Sequence, residues 1–302
     1  MKVFIVGATG YLGSVIVQRL VGAGHSVTAL SRSDASDATL LAAIATPVRG
    51  SLADTETLTT AASRADAVVY AASDYAATEQ SMQVELAAVA ALVDGAGRAA
   101  RGKPVIYTST GLVYGPDASP ADTDESAALP EISAQPVKVA AERIVLGSAE
   151  ITGISVRAGL IFGRGGTVLL TGLIAAARAH GVATYIDEGA NTWLPVHVDD
   201  LADLYLRALE HPVGGAFNAV GDVPFSFREL AEAIGELTGA AVVSIPLSVA
   251  EQSMGPAATT LTSTSSLSAA KAKATFGWAP ADRSLIDDVR HGSYAAPAAH
   301  AD

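Results

Sequence analysis

Three glycines near the amino terminus, Gly7, Gly10 and Gly13, have the type and spacing to hold a phosphate. A turn without Cβ atoms lets backbone N–H groups and the start of a helix approach a diphosphate closely. Val3, Phe4, Ile5 and Val6 lead into the turn as a short apolar run, and Val15, Ile16, Leu20 and Val21 follow it at helical spacing. The spacing is GxxGxxG rather than the dinucleotide fingerprint GxGxxG, so the signal comes from glycines set between a strand and a helix. The expected cofactor contacts are Gly7, Thr9, Gly10, Tyr11, Leu12 and Gly13. A second strand ends in Ser31-Arg32-Ser33, at the distance from the turn where an NAD site usually carries an acidic residue for the ribose hydroxyls. A guanidinium there attracts the 2′-phosphate that a carboxylate would repel, which predicts NADP(H); the alternative is a solvated surface arginine.

These residues need a sheet to position them. Beyond the second strand, strand-like segments at Val48–Leu52, Ala65–Ala72 and Pro104–Ser109 alternate with helical ones such as Val84–Arg98. That alternation predicts an α/β, doubly wound parallel sheet of the Rossmann type. Ligands in such sheets lie at the carboxyl ends of the strands. Ser51-Leu52, Ala71-Ala72-Ser73 and Thr108-Ser109-Thr110 are then candidate contacts for adenine, the cofactor ribose and the reacting substrate, in that order.

The composition narrows the function classes. The chain has 302 residues, half of them apolar, enough for a sizeable core. A net charge of −12 and the absence of a Lys/Arg cluster argue against nucleic acid or an anionic membrane surface as a partner. No cysteine is present, so thiolate nucleophiles and Cys-based metal sites are excluded. The chain opens on a strand and contains no apolar run of about 18 residues, from which a cytoplasmic enzyme is expected.

Five motifs in order carry a family resemblance: Gly7-Ala-Thr-Gly10-Tyr-Leu-Gly13, Tyr107-Thr-Ser-Thr110-Gly-Leu-Val-Tyr114-Gly115, Lys138-Val-Ala-Ala-Glu142-Arg, Val156-Arg157-Ala-Gly159-Leu-Ile-Phe-Gly163 and Leu194-Pro-Val-His197-Val-Asp199-Asp200-Leu-Ala202. Together they cover about the first 220 residues, and the chain resembles the extended short-chain dehydrogenase/reductase superfamily, in its NAD(P)-dependent epimerase/dehydratase branch. The resemblance implies a cofactor domain over 1–163, rejoined by 193–221, and a smaller carboxyl-terminal substrate lobe from 164–192 and 222–302. It also implies that Thr110 assists catalysis and Lys138 holds the nicotinamide ribose, and it suggests a homodimer through helices equivalent to Val84–Arg98 and Val137–Ala149.

One position departs from the family pattern. Members of this family pair a tyrosine with a lysine four residues on, the phenol exchanging a proton with a carbonyl or alcohol. Here Ala134 stands four residues before Lys138, and Ile132-Ser-Ala134-Gln-Pro136-Val-Lys138 holds no tyrosine. A methyl group can neither donate nor accept a proton. Pro136 suits the first turn of a helix capped by Ser133, from which Lys138 would project. Three readings remain open: a reductase of a small-molecule C=C, C=N or C=O bond using another proton donor, a non-redox cyclase, dehydratase or isomerase, and an NADP(H)-sensing binding protein. For the first, Tyr75, Tyr114, Tyr185 and His197 are the candidate acids.

Other polar residues offer no sharper chemistry. Asp199 and Asp200 precede an apolar helix and are expected to cap it. Asp122, Asp124 and Glu125 cluster without a nearby histidine, so no metal is predicted. Gly163-Arg-Gly-Gly166 either lines the nicotinamide entrance or is the flexible crossing into the small lobe. The stripe Phe227, Leu230, Ile234 and Leu237 is expected to be core.

Overall fold

A computed structural model describes residues 1–73, 78–115, 123–131, 133–255, 257–281 and 283–295. The first half alternates strand and helix: β1 (Lys2–Val6), α1 (Tyr11–Gly22), β2 (Ser26–Ser31), α2 (Asp34–Ala42), β3 (Ala45–Arg49), α3 (Thr55–Arg64), β4 (Ala67–Tyr70), α4 (Glu79–Ala99), β5 (Lys103–Thr110), α5 (Pro136–Gly147) and β6 (Ile151–Ala158). There follow β7 (Leu160–Phe162), α6 (Val168–His180), β8 (Val182–Ile186), β9 (Thr192–Trp193), β10 (Pro195–His197), α7 (Val198–Glu210), β11 (Gly215–Ala219), β12 (Phe225–Ser226), α8 (Phe227–Thr238) and β13 (Ala241–Ile245). Four short helices follow among the described residues: α9 (Leu247–Met254), α10 (Ala257–Leu261), α11 (Ala270–Phe276) and α12 (Leu285–His291).

Seven strands form one sheet in the order β11-β6-β5-β4-β1-β2-β3, and every pair is parallel. The expected doubly wound α/β sheet is thus present. Both faces are covered, which is why the interior strands read as unbroken apolar runs. Val3 and Ile5 pack with α1, α7 and α11 on one face, and Phe4 and Val6 pack with α3 and α4 on the other. The chain winds outward from β1 in one direction and from β4 in the other, so the switch point lies between the ends of β1 and β4.

Several boundaries differ from the sequence reading. The third strand is Ala45–Arg49 rather than Val48–Leu52, because β3 is an edge strand and tolerates Pro47, while Leu52 turns in to pack beside α3 and α4. Helix α4 begins five residues before Val84, where the Thr78 hydroxyl accepts the Ser81 amide. Helix α5 starts at Pro136 behind Gln135, not at Ser133, whose Oγ instead accepts the Gln135 amide.

A second core lies off the sheet, where α6, β8, α8 and α12 bury Leu170, Ile174, Ala183, Leu230, Ile234 and Val289. Phe227, Leu230 and Ile234 of the predicted stripe are buried in it. Strand β11 returns to the main sheet beside β6, but Thr192-Trp193 pairs with β12 outside it. Leu267, Ala272, Phe276 and Trp278 pack into the main-sheet core with α7. Among the described residues no helix is long and apolar enough to cross a membrane.

Candidate functional site at the switch point

The glycine turn sits at the switch point and its glycines are needed there. Gly7 has φ +87°, and a Cβ on it would lie 2.5 Å from the Ala72 amide nitrogen; a Cβ on Gly13 would lie 2.0 Å from the Gly7 carbonyl oxygen. Gly7 is therefore packed against the segment after β4 on one side and the start of α1 on the other, which leaves no room for a side chain at Gly7 or Gly13. Gly10 caps α1, donating its amide to Gly7 O at 3.0 Å, and Ser14 is the first residue to donate back into the helix, to Gly10 O at 2.9 Å. The first-turn amides of Tyr11, Leu12 and Gly13 are left without an intrahelical acceptor. No acidic side chain occupies that turn, and Thr9 and Gly10 are exposed. An open, positively polarised helix end beside a turn that packs on Ala71 and Ala72, with exposed Ser73 next in the chain, fits a dinucleotide diphosphate.

At the end of β2, Ser31 is buried and donates its hydroxyl to Ser33 O at 3.3 Å, while Ser33 Oγ caps α2 by accepting the Ser36 amide. Arg32, between them, is exposed and makes no ion pair with any described residue. The acids of α2 are already engaged, because Arg49 pairs with Asp34 at 2.5 Å and with Asp37. Arg32 thus keeps its charge available beside the turn. Ser51 lies two residues past the end of β3, where its Oγ accepts the Ala53 amide at 3.3 Å, with half-buried Leu52 next to it.

At the end of β5 the hydroxyl groups divide. Thr108 donates to Tyr70 O at 2.7 Å and accepts from the buried Tyr205 hydroxyl at 2.7 Å, so its side chain is tied to α7. Thr110 Oγ1 accepts the Leu112 amide at 3.2 Å, capping a 3-10 turn over Gly111–Tyr114, and its own proton has no acceptor among the described residues. Ser109 Oγ is buried without a hydrogen-bond partner among the described residues. Lys138 is brought to the same region but is not free: Nζ donates to Glu85 Oε1 at 2.9 Å, and that oxygen also accepts the Tyr107 hydroxyl at 2.6 Å. Burial, reinforced by the Glu85 carboxylate, pushes the Tyr107 phenol far above its ordinary range, so it stays protonated. Glu85 was missed by sequence reasoning. Its signal was an acid on the buried stripe of α4 formed with Ala88, Val89, Leu92 and Ala96.

Three of the four candidate acids lie within the described residues, and each of these has another partner. Tyr75 lies outside the described residues. Tyr114 is a buried post whose hydroxyl donates to Asn218 Oδ1 at 2.9 Å and accepts from Arg157 Nη1 at 2.7 Å, and burial raises its pKa. Tyr185 is on β8 under the Arg228 guanidinium, 5.1 Å from ring to charge. His197, rather than Asp199 or Asp200, caps α7: its Nδ1 accepts the Asp199 amide at 3.2 Å. That corrects the expected capping, and the two aspartates lie in the first turn instead. Burial, with Arg283 close by, holds the His197 imidazole below its ordinary pKa. In the acidic cluster, Asp122 lies outside the described residues, Asp124 accepts from Ser126 and Glu125 accepts the Asn218 amide at 2.6 Å.

A parallel seven-stranded sheet with a glycine turn at its switch point defines a nucleotide-binding α/β protein. The model of the NAD dependent epimerase/dehydratase family matches residues 3–220, and the chain belongs to that family. An uncharacterized protein of Saccharomyces cerevisiae is 30% identical over 299 residues, covering 96% of this chain and 98% of that one. A 4-hydroxy-2-methyl-3-oxo-4-farnesyl-3,4-dihydroquinoline-1-oxide ketoreductase of Stigmatella aurantiaca is 30% identical over 260 residues, covering 83% and 78%. Among solved structures, the UDP-glucose 4-epimerase of Thermotoga maritima superposes with a TM-score of 0.79 at 20% identity, over 97% of this chain and 98% of that one, a likeness of fold.

Proposed function

We propose that the chain is an NADP(H)-dependent reductase of a C=C, C=N or C=O bond in a small molecule, using a proton donor other than the family tyrosine. The observation that carries it is Arg32: exposed, unpaired among the described residues and one strand away from an open glycine turn. The turn amides would hold the diphosphate, and Arg32 would grip the 2′-phosphate bidentately. Once bound, the cofactor supplies the hydride. Lys138, oriented by Glu85, would hold the nicotinamide ribose, and the Thr110 hydroxyl would hydrogen-bond a substrate oxygen or nitrogen, with water supplying the proton that is transferred. The second core, from α6 and α8, would form the substrate side. The ketoreductase relative supports a carbonyl among the three bond types.

A second reading, a non-redox cyclase, dehydratase or isomerase, draws on the pairing of Lys138 with Glu85 and on Ala134, which puts a methyl group where the family carries its activated phenol. Incubating the purified chain and NADPH with enone, imine and ketone substrates separates them. Loss of reduced nicotinamide in step with product is expected; product without nicotinamide oxidation would favour the second reading.

A further inference from the structure

The loop that follows β7 is held in a costly conformation. Gly163, Arg164, Gly165 and Thr167 have φ of 106°, 52°, 66° and 75°, and the two non-glycine residues are in a region that L side chains rarely adopt. Such a loop persists only where its surroundings fix it. On one side it meets the glycine turn: the Tyr11 hydroxyl donates to Gly163 O at 2.7 Å, and a Cβ on Gly166 would lie 2.0 Å from the Tyr11 ring. On the other side it meets the residues after α12. The Gly163 amide donates to Tyr294 Oη at 3.0 Å, Tyr294 donates to Gly166 O at 2.8 Å, and the Gly165 amide donates to Ser293 Oγ at 2.8 Å.

Those residues are themselves anchored. Ser293 donates its hydroxyl to Asp288 Oδ2 at 2.8 Å and its amide to Asp288 Oδ1 at 2.7 Å, and the Tyr294 ring is buried in the second core. Burial pushes both the Tyr11 and Tyr294 phenols above their ordinary range, so the contacts keep their protons at any physiological pH. The segment therefore reaches back across the sequence to fix a loop that touches Tyr11, the first residue of α1, whose amide belongs to the anion-binding turn.

We propose that Ser293 and Tyr294 are positioning residues of the dinucleotide site: a carboxyl-terminal clasp that presses the Gly163–Thr167 loop onto Tyr11 and sets how fast a bound dinucleotide leaves. The proposal rests on the NADP(H) reading. Release of NADPH is measured by stopped-flow fluorescence for the wild-type chain, Tyr294→Phe and Ser293→Ala, with amide hydrogen exchange at Gly163 and Gly165 followed in parallel. Tyr294→Phe keeps the buried ring and removes two hydrogen bonds, so release is expected to quicken roughly 5- to 30-fold. Exchange at the two amides should accelerate while the melting transition stays cooperative. A Tyr294→Phe chain that still binds NADPH and releases it at the wild-type rate overturns the clasp. A wild-type chain that binds neither NADPH nor NADH overturns the cofactor reading itself, and the clasp's role in release with it.

Discussion

Removing the Arg157 guanidinium should test how the site is held from beneath. Arg157 on β6 and Glu142 on α5 have side chains only 6% and 3% exposed. Nε donates to Glu142 Oε1 at 3.0 Å, Nη2 to Oε2 at 2.7 Å, and Nη1 to the Tyr114 hydroxyl at 2.7 Å. The pair moors the helix that carries Lys138 to the sheet, and Tyr114 fixes the turn that Thr110 caps. Arg157→Met leaves the Glu142 carboxylate buried with Ser155 as its one remaining donor among the described residues. Breaking a buried pair in this way costs about 3–5 kcal/mol, whereas replacing both partners with apolar groups is often close to neutral. With an unfolding entropy of roughly 2.1 cal/mol/K per residue, the single variant should melt about 5–8 °C lower. Urea unfolding of Arg157→Met, Glu142→Leu and the double variant gives the cycle, and the double should be more stable than either single. A loss below about 1 kcal/mol in Arg157→Met, or a double variant as weak as the sum of the singles, would refute the assignment.

Two other perturbations follow from the site. Because His197 has its pKa lowered in the folded chain, the unfolded chain takes up the proton first; its stabilising contribution is full above about pH 6.5 and is lost as pH falls through the lowered value. His197→Asn keeps a capping group without titrating, so urea-unfolding free energies should depend less on pH between about 7 and 5.5, and an unchanged slope would show that other groups carry it. Gly13→Ala places a methyl 2.0 Å from Gly7 O, which must displace the turn. NADPH affinity should fall at least about tenfold, and a variant that binds like the wild type would contradict the turn's role.

The parts of this fold that were legible in the sequence are those in which local chemistry and tertiary packing agree. Val3 to Val6, the glycines and Val15 to Leu20 form a strand, turn and helix on any reading, and the structure places them so. The third strand was misplaced because an edge strand carries a weaker apolar signal and Leu52, the stronger hydrophobe, packs outside the ladder. The cap of α7 was misread because histidine is an uncommon cap, and its Nδ1 does the work an aspartate usually does. The pairing of Glu85 with Lys138 spans 53 residues and that of Tyr294 with Gly166 spans 128, so no local pattern announces either. What the sequence does offer is the anomaly itself: Glu85 and Glu142 sit on apolar helical stripes, where an acid must find a partner.

Parallel titration of the wild-type chain and Arg32→Ala with NADPH and NADH tests the central claim most directly. Loss of a charge-assisted grip on the 2′-phosphate is worth about 1.5–3 kcal/mol, so Arg32→Ala should bind NADPH roughly 10- to 150-fold more weakly and NADH almost unchanged. A wild-type chain that binds NADH as tightly as NADPH, or an Arg32→Ala chain that keeps the preference, would contradict it.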